Sequence, residues 1–517
     1  MIKGQIFEIE ITDMTDEGAG IGKVDGFPLF VKDTVIGDRA KVMVIKDKKT
    51  YAYARLLEVV VPSPMRVMPA CEIARPCGGC QLQAMSYEAT LRFKENKVRN
   101  ALERLGGVRF GIDTVASDGE VANSGVDEEV NAASEGTADE DRASFLPIIG
   151  MDEPWHYRNK AEYPVRCNRD GKIVTGFYAG RTHSVIECDS CKIGQEHDAT
   201  ILAAVKEWMI ENSVSAYDEE SGTGVVRHVM IRTSHANDSV MVCLIVNAKK
   251  LPAEEAFVKK MMEVHGVVIA SLSYSINTEM SNVIMGREVV TLRGNDYLED
   301  SIGDVTYHIS PQSFYQVNPA QTEKLYEAAL NFAGLGGEET VWDLYCGIGT
   351  ISLFLAKKAK KVYGVEIVPA AVENAKANAE LNGIGNAEFF CGAAEDVLPE
   401  FYRGRGSVCD AEENAEGGLA DTVGTKDEVG VEVKALHPDV IVVDPPRKGC
   451  DARLLDTIMK MAPEKVVYVS CNPATLARDV KVLCGDGAYL VEKVQAVDMF
   501  PWTGHVETVV LMSRVKP

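Results

Sequence analysis

Short apolar runs alternate with Gly-rich turns near the N-terminus: "IFEIEITDM", "FPLFV", "DRAKVMVIKDKK" and "YAYARLLEVVV". Runs of this length bounded by turn residues read as strands. Between the first two lies "DEGAGIGKVDGF", which reads as a flexible Gly-rich turn. Short strands spaced by such turns predict a small OB-like β-barrel over residues 1–62. "VPSPMRVMP" then breaks the alternation and reads as a Pro-rich linker. From residue 301 the pattern changes. Continuous apolar runs, among them Thr340–Leu344, "KVYGVE", Val440–Val443 and Lys465–Val469, alternate with helical periodicity. This predicts an α/β domain with a mostly parallel sheet over 301–517. Residues 63–300 form an α+β middle region, so the chain is multidomain.

Charge complicates the picture. A net charge of −23 speaks against a nucleic-acid partner, but it is unevenly spread. Residues 113–141 hold ten acids and no Lys or Arg, and residues 406–435 hold eight acids and two lysines, which leaves −7 for the rest. Both stretches are poor in large apolar residues and read as loosely ordered insertions, one in the middle region and one in the α/β domain. Outside them lie basic clusters: Lys46, Lys48 and Lys49, then Arg92, Lys94, Lys97, Arg99 and Arg104 on a helix-like stretch. "WHYRNK" mixes aromatics and bases as single-strand binders do. Each cluster is also compatible with a plain solvated face. No run of 18 apolar residues and no signal-peptide h-region is present, so a cytoplasmic protein without a membrane span is expected. Thirteen cysteines then point to metals or catalysis in a reducing compartment.

Candidate chemistry collects at strand ends. The strand Thr340–Leu344 runs into a Gly loop, Cys346–Thr350, and the next strand ends in Glu366. An acid there can accept hydrogen bonds from ribose hydroxyls. Ser352 stands where the dinucleotide fingerprint needs its third glycine, which disfavours a pyrophosphate and suits an adenosyl ligand. Further strands end in Asp444-Pro445-Pro446 and Ser470-Cys471-Asn472-Pro473, and "MFPWTGHVETVVLM" sets His505 and Glu507 ahead of the last. Ligands bind at the carboxyl edge of such sheets, so Asp444, Cys471 and Glu507 could converge there with Glu366. A lone buried Cys is ordinarily a small hydrophobe, but this strand-end position favours a nucleophile. Separately, Cys71, Cys77 and Cys80 follow C-x5-C-x2-C, and "CDSCKIG" offers Cys188 or Cys191 as a fourth thiolate. Zinc and an iron–sulfur cluster are both open on spacing alone.

"DLYCGIGTISL", "DPPRKG", "SCNPATLARD" and "FPWTGHVET", in this order, resemble the S-adenosylmethionine-dependent RNA uracil-5 methyltransferase family. "SFYQVNP", "WHYRNKAEYPV" and "VRHVMIR" extend the resemblance over nearly the whole chain. It implies a TRAM domain at the N-terminus and a Rossmann-like methyltransferase domain at the C-terminus. Cys471 is then the nucleophile that adds to C6 of uracil, and Glu507 the base that removes the C5 hydrogen. Gln316, Tyr345, Thr350 and Glu366 match positions that bind S-adenosylmethionine, and Asp444 contacts uracil or the methyl-donor pocket. Cys71, Cys77, Cys80 and Cys191 would hold a [4Fe–4S] cluster. The substrate would be an unstacked uridine in RNA, 23S ribosomal RNA ahead of transfer RNA, acted on by a monomer. Two rivals stand beside this. An amino-group methyltransferase also uses D-P-P, but Arg447 replaces its aromatic. A non-catalytic RNA-binding or ribosome-assembly factor would have no use for Cys471 and Glu507.

Overall fold

The structure, a computed structural model, describes residues 2–111, 142–180, 182–402 and 437–515. Both acidic stretches lie outside the described residues. Strands β1 (Ile6–Met14), β2 (Gly20–Val24), β3 (Phe27–Val31), β4 (Arg39–Asp47) and β5 (Ala52–Val61) close a barrel in the order β1-β2-β3-β5-β4. Ile11, Leu29, Val31 and Val42 fill it. The Gly-rich stretch expected to be a turn supplies β2 instead. A Cβ on Gly20 would lie 2.2 Å from Thr34 Oγ1, and one on Gly22 would lie 2.6 Å from the Glu10 carbonyl. Glycine here permits close approach inside a strand rather than turn flexibility.

Next come α1 (Tyr87–Ala101) and β6 (Ser144–Ile149). A seven-stranded sheet follows, built from β7 (Lys160–Cys167), β8 (Ile173–Tyr178), β9 (Val185–Glu187), β10 (Val226–Thr233), β11 (Val240–Val246), β12 (Ile269–Ile276) and β13 (Glu288–Gly294), in the order β13-β12-β11-β10-β7-β8-β9. Its central strands β10 and β11 are buried at every position. Helices α2 (Asp198–Glu211) and α3 (Glu254–Met262) cross it, with Trp208 packed on Phe257 at 4.8 Å. A hairpin, β14 (Leu298–Ile302) and β15 (Val305–Ile309), leads into the C-terminal part.

There α4 (Pro319–Ala333), β16 (Thr340–Leu344), α5 (Thr350–Ala356), β17 (Lys361–Glu366), α6 (Pro369–Leu381), β18 (Ala387–Cys391), α7 (Ala394–Tyr402), β19 (Val440–Val443), α8 (Ala452–Met461), β20 (Lys465–Ser470), α9 (Pro473–Cys484), β21 (Tyr489–Val497) and β22 (Glu507–Arg514) form an α/β layer structure. The sheet order is β18-β17-β16-β19-β20-β22-β21-β6. The first five strands are parallel, β22 runs antiparallel to them, and β21, antiparallel to β22, runs in their direction again. The order reverses between β16 and β19, and that reversal opens a crevice at the strands' carboxyl ends.

The edge strand β6 comes from the middle of the sequence. It pairs parallel with β21 and covers an edge that would otherwise expose its N–H and C=O groups. Helix α1 packs on the same side, against α9. The stretch 63–300 thus contributes structure to the C-terminal sheet as well as its own. No described helix is long and apolar enough to cross a membrane.

Candidate active site

Cys471 follows directly on β20, and the chain turns there because Asn472 and Pro473 start α9. The Asn472 side chain accepts from Ala474 N at 3.0 Å, and Pro473 occupies the first helical position. Cap and proline together satisfy or remove donors that a helix start leaves unpaired. The same cap ties in the neighbouring loop: Asn472 Nδ2 and Thr475 Oγ1 each donate to the Arg447 carbonyl at 3.2 Å. Below, the buried Asp479 carboxylate accepts from Cys450 N (2.8 Å) and from the Tyr468 hydroxyl (2.7 Å). The loop Asp444–Gly449 and the loop carrying Cys471 are therefore one unit.

Glu507 opens β22, antiparallel to β20, and is 4% exposed. Burial, then the neighbouring Asp444, push its carboxyl up to about 8, against the pull of Arg447. Asp444 is pushed up to about 7 by burial and by Asp343. Burial raises the Cys471 thiol to about 11, with Glu507 and Asp444 adding to the rise and Arg447 opposing it. Cys471, Glu507 and Asp444 thus share one electrostatic neighbourhood. A cysteine beside a helix N-terminus is ordinarily acidified; here desolvation and then two carboxyl groups push the other way.

The adenosyl side of the crevice is built on β16 and β17. Glu366 accepts from Gly347 N (3.2 Å) and Val368 N (2.9 Å), which aims it at the Gly loop. Tyr345 adopts a left-handed φ of 71°, half-buried, and Gly347 (φ 57°) faces open space. Uncovered backbone and a strand-end carboxylate thus lie at the carboxyl edge of the sheet, where ligands of such folds bind. Thr350 is engaged on both sides: its hydroxyl accepts from Tyr326 at 2.9 Å and its carbonyl from Tyr307 at 3.0 Å. Gln316 is half-buried, and only its backbone is engaged, its carbonyl accepting from Asn159 Nδ2 at 3.2 Å. Its loop hangs from the middle sheet, where buried Arg232 donates to Ser310 O (3.1 Å) and Ser313 O (2.9 Å).

Sequence reading passed over Asp343, the buried acid at the end of β16. Its Oδ1 has no partner, and burial raises its carboxyl to about 7. Its place at a strand end was the available signal. Two basic residues belong elsewhere than a nucleic-acid face. Lys94 is fully buried against Asp498, and Lys97 reaches Gly504 O at 2.8 Å and Asp16 at 2.9 Å. Trp155 of "WHYRNK" stacks on Trp502 at 4.5 Å.

The cysteines of the other motif lie within electrostatic reach of one another. Burial raises Cys80 to about 12 and also raises Cys77, with Cys191 and Cys71 adding to both. Cys188 joins the same group, pushed to about 12 by burial and by Cys191, Cys71 and Cys77. Gly79 N donates to Cys77 Sγ at 3.4 Å. As a donor set these soft sulfurs fit a thiolate-bound centre. Among the described residues no three His, Cys, Asp or Glu side chains are gathered closely enough to hold one metal ion.

Comparison with known proteins gives this arrangement a context. The family model described as tRNA (Uracil-5-)-methyltransferase matches residues 149–408 and 410–515, and the TRAM domain model matches residues 2–57. An uncharacterized RNA methyltransferase of Halalkalibacterium halodurans is 44% identical over 512 residues, covering 99% of this chain and 97% of that protein. One from Bacillus cereus is 43% identical over 514 residues, covering 99% and 98%. The crystal structure of Pyrococcus abyssi tRNA (uracil-54, C5)-methyltransferase with S-adenosyl-L-homocysteine superposes with a TM-score of 0.68 at 24% identity, covering 98% of this chain and 100% of that one, a likeness of fold. With a barrel matched by the TRAM model and a methyltransferase sheet whose crevice gathers Cys471, Glu507 and Asp444, the chain belongs to the tRNA (uracil-5-)-methyltransferase family of S-adenosylmethionine-dependent RNA methyltransferases.

Proposed function

We propose that the enzyme methylates C5 of a uridine in RNA through a covalent bond between Cys471 and C6 of the base. The convergence of Cys471, Glu507 and Asp444 at the crevice carries this reading. C5 of uracil is a weak nucleophile. The Cys471 thiol gives up its proton to solvent and its sulfur adds to C6, forming an S–C bond and moving the C5–C6 π pair onto C5 and O4. Bound S-adenosylmethionine supplies an electrophilic methyl group to C5. Glu507 then removes the C5 hydrogen, the C5–C6 double bond reforms, and the thiolate leaves. Asp444 lies next to both groups and holds uracil or borders the methyl-donor pocket. Gln316, Tyr345, Thr350 and Glu366 hold the donor. The target uridine must leave its stack to reach a crevice this enclosed.

The favoured substrate is 23S ribosomal RNA, modified by a monomer in the cytoplasm. Its support is the resemblance of a barrel plus cysteine motif to the ribosomal RNA enzymes. The name of the Pyrococcus abyssi protein favours transfer RNA as the second reading. Cys71, Cys77, Cys80 and Cys191 would hold a [4Fe–4S] cluster, which shapes the middle region. Stoichiometric zinc without iron in anaerobically purified protein would refute that assignment.

The decisive test uses two variants. Cys471→Ala should form no protein–RNA bond. Glu507→Gln keeps the nucleophile, transfers the methyl group and stalls, because loss of a positioned base costs on the order of 10²–10⁴ in rate. A methylated adduct that survives denaturing electrophoresis and requires the methyl donor is expected. Normal turnover by Glu507→Gln, or an adduct from Cys471→Ala, would overturn the roles.

A further inference from the structure

Strand β10 ends at a cavity of about 370 Å³ remote from the crevice. Arg227 and His228 line it, each only 5% exposed. Arg227 Nε and His228 Nδ1 have no hydrogen-bond partner in the protein. Such buried groups are ordinarily satisfied, and exceptions call for a missing partner. The rest of Arg227 is fixed. Its Nη1 donates to Asn277 O (2.9 Å) and Glu279 O (2.7 Å), and its plane lies 4.5 Å over the Tyr217 ring. One edge of the guanidinium is therefore unpaired and sealed from solvent, and a ligand in the cavity gains it by shifting the side chains of the floor.

The surroundings select what that is. Arg166 is paired with Glu219, whose carboxylate also lines the cavity and disfavours a bare anion. The rim is open and mixed: Met280 is 73% exposed and Val283 62%, with the polar Ser281 and Asn282 exposed between them. Apolar side chains at the rim and polar groups on floor and rim suit a flat ring with apolar faces and hydrogen-bonding edges. The volume lies within the roughly 300–1,000 Å³ of small-ligand sites. Cavity and crevice share a scaffold. Arg227 and Arg232 lie on one strand, roughly 17 Å apart at strand rise, and Arg232 holds the loop that leads to Gln316. Tyr178, at the cavity wall, accepts from Gly78 of the cysteine motif at 3.4 Å.

We infer that this cavity takes a second unstacked nucleobase of the substrate RNA, distinct from the uridine that is methylated. The inference rests on the reading of the chain as an RNA uracil methyltransferase. The base edge pairs with Arg227 Nε and His228 Nδ1, and Met280 and Val283 cover its faces. RNA phosphates stay at the open rim.

The test uses the full-length protein and a fluorescein-labelled, mixed-sequence single-stranded RNA, with affinity read by anisotropy. Met280→Asp and Val283→Asp change only exposed rim positions and should each keep the wild-type melting temperature. Each should weaken RNA binding about tenfold, the worth of one base contact. Arg227→Gln should do the same, and adenosine or uridine monophosphate should compete where inorganic phosphate does not. Wild-type affinity in both rim variants, with 5-methyluridine still formed, would overturn the second-base site. Equal competition by phosphate would overturn the nucleobase assignment. Rim-dependent binding without 5-methyluridine in any RNA would sink the functional reading and leave the cavity's role standing.

Discussion

Cys471 and Glu507 meet at one crevice, but the chain delivers them by different means. Everything that aims Cys471 lies within β20, the Asn472-Pro473 cap and the adjoining Asp444–Cys450 loop. Glu507 depends on the loop before it, Asp498–Val506, which remote segments hold. Lys94 and Tyr87 bind Asp498, Lys94 also donates to Phe500 O (2.9 Å), Tyr157 to Pro501 O (3.1 Å), and Leu82 N to Trp502 O (2.9 Å). The barrel reaches the same loop, since a Cβ on Gly504 would lie 2.0 Å from the Asp16 carbonyl. A cysteine held locally and a glutamate held by three parts of the chain should fail in different ways when disturbed.

The largest effect should come from Lys94→Met. It strands the buried Asp498 carboxylate without its cation, and breaking such a pair costs about 3–5 kcal/mol. Thermal unfolding should shift down sharply, and Lys94→Met with Asp498→Asn should recover much of the loss. An unchanged melting temperature would show that the base side is held without this pair. Gly504→Ala comes next. Its new methyl must displace either the loop or the barrel turn. A misplacement near 1 Å costs about 10²-fold in rate, so kcat should fall by that order while S-adenosylhomocysteine still binds.

The pH dependence also separates the two sides. In its proposed role Glu507 acts as a base only when deprotonated, and burial pushes its carboxyl up to about 8. From pH 8 down to pH 6 kcat/KM should therefore fall by about tenfold per unit at the acid end. Stability should move the other way. The unfolded chain releases these protons near the ordinary values of 3.8 and 4.5, while folded Asp343, Asp444 and Glu507 hold them to about 7, 7 and 8. The folded state thus binds more protons, and stability falls as pH rises through that window. Glu507→Gln should melt higher than the wild type at pH 8. A flat kcat/KM profile would refute the raised carboxyl as the working base.

The same contrast explains what the sequence made legible. The parallel strands, and the edge that holds Asp444, Cys471 and Glu507, follow from apolar runs and the residues that end them, all short-range signals. The C-x5-C-x2-C spacing was equally visible. Hidden features depend on contacts between distant residues. Nothing local says that Gly20 and Gly22 sit in a strand, because the atoms they make room for belong to Thr34 and Glu10. Nothing in "RFKENKVRN" distinguishes Lys94, whose partner Asp498 lies about 400 residues on, from a solvated lysine. The pairing of β6 with β21 is likewise invisible to a window of ten residues.

The smallest predicted effect sharpens the local side. Asn472→Ala removes the side chain that caps α9 and the amide that holds the Arg447 carbonyl. Loss of such a cap costs about 1 kcal/mol, and Pro473 keeps the first turn's φ in place. Helix α9 stays anchored through Leu476, Val480 and Leu483, all fully buried, so the fold should survive with a modestly lower melting temperature. The thiol, however, loses the rigid junction between its own loop and the loop that carries Asp444. Adduct formation by a Glu507→Gln, Asn472→Ala double variant should therefore be slower than by Glu507→Gln alone, while the adduct still reaches the same final amount. Asn472→Asp keeps an acceptor for Ala474 N but cannot donate to Arg447 O. It should restore the melting temperature and leave the rate low. If Asp restored both, the helix cap alone would position Cys471, and the link to the Asp444 loop would be incidental.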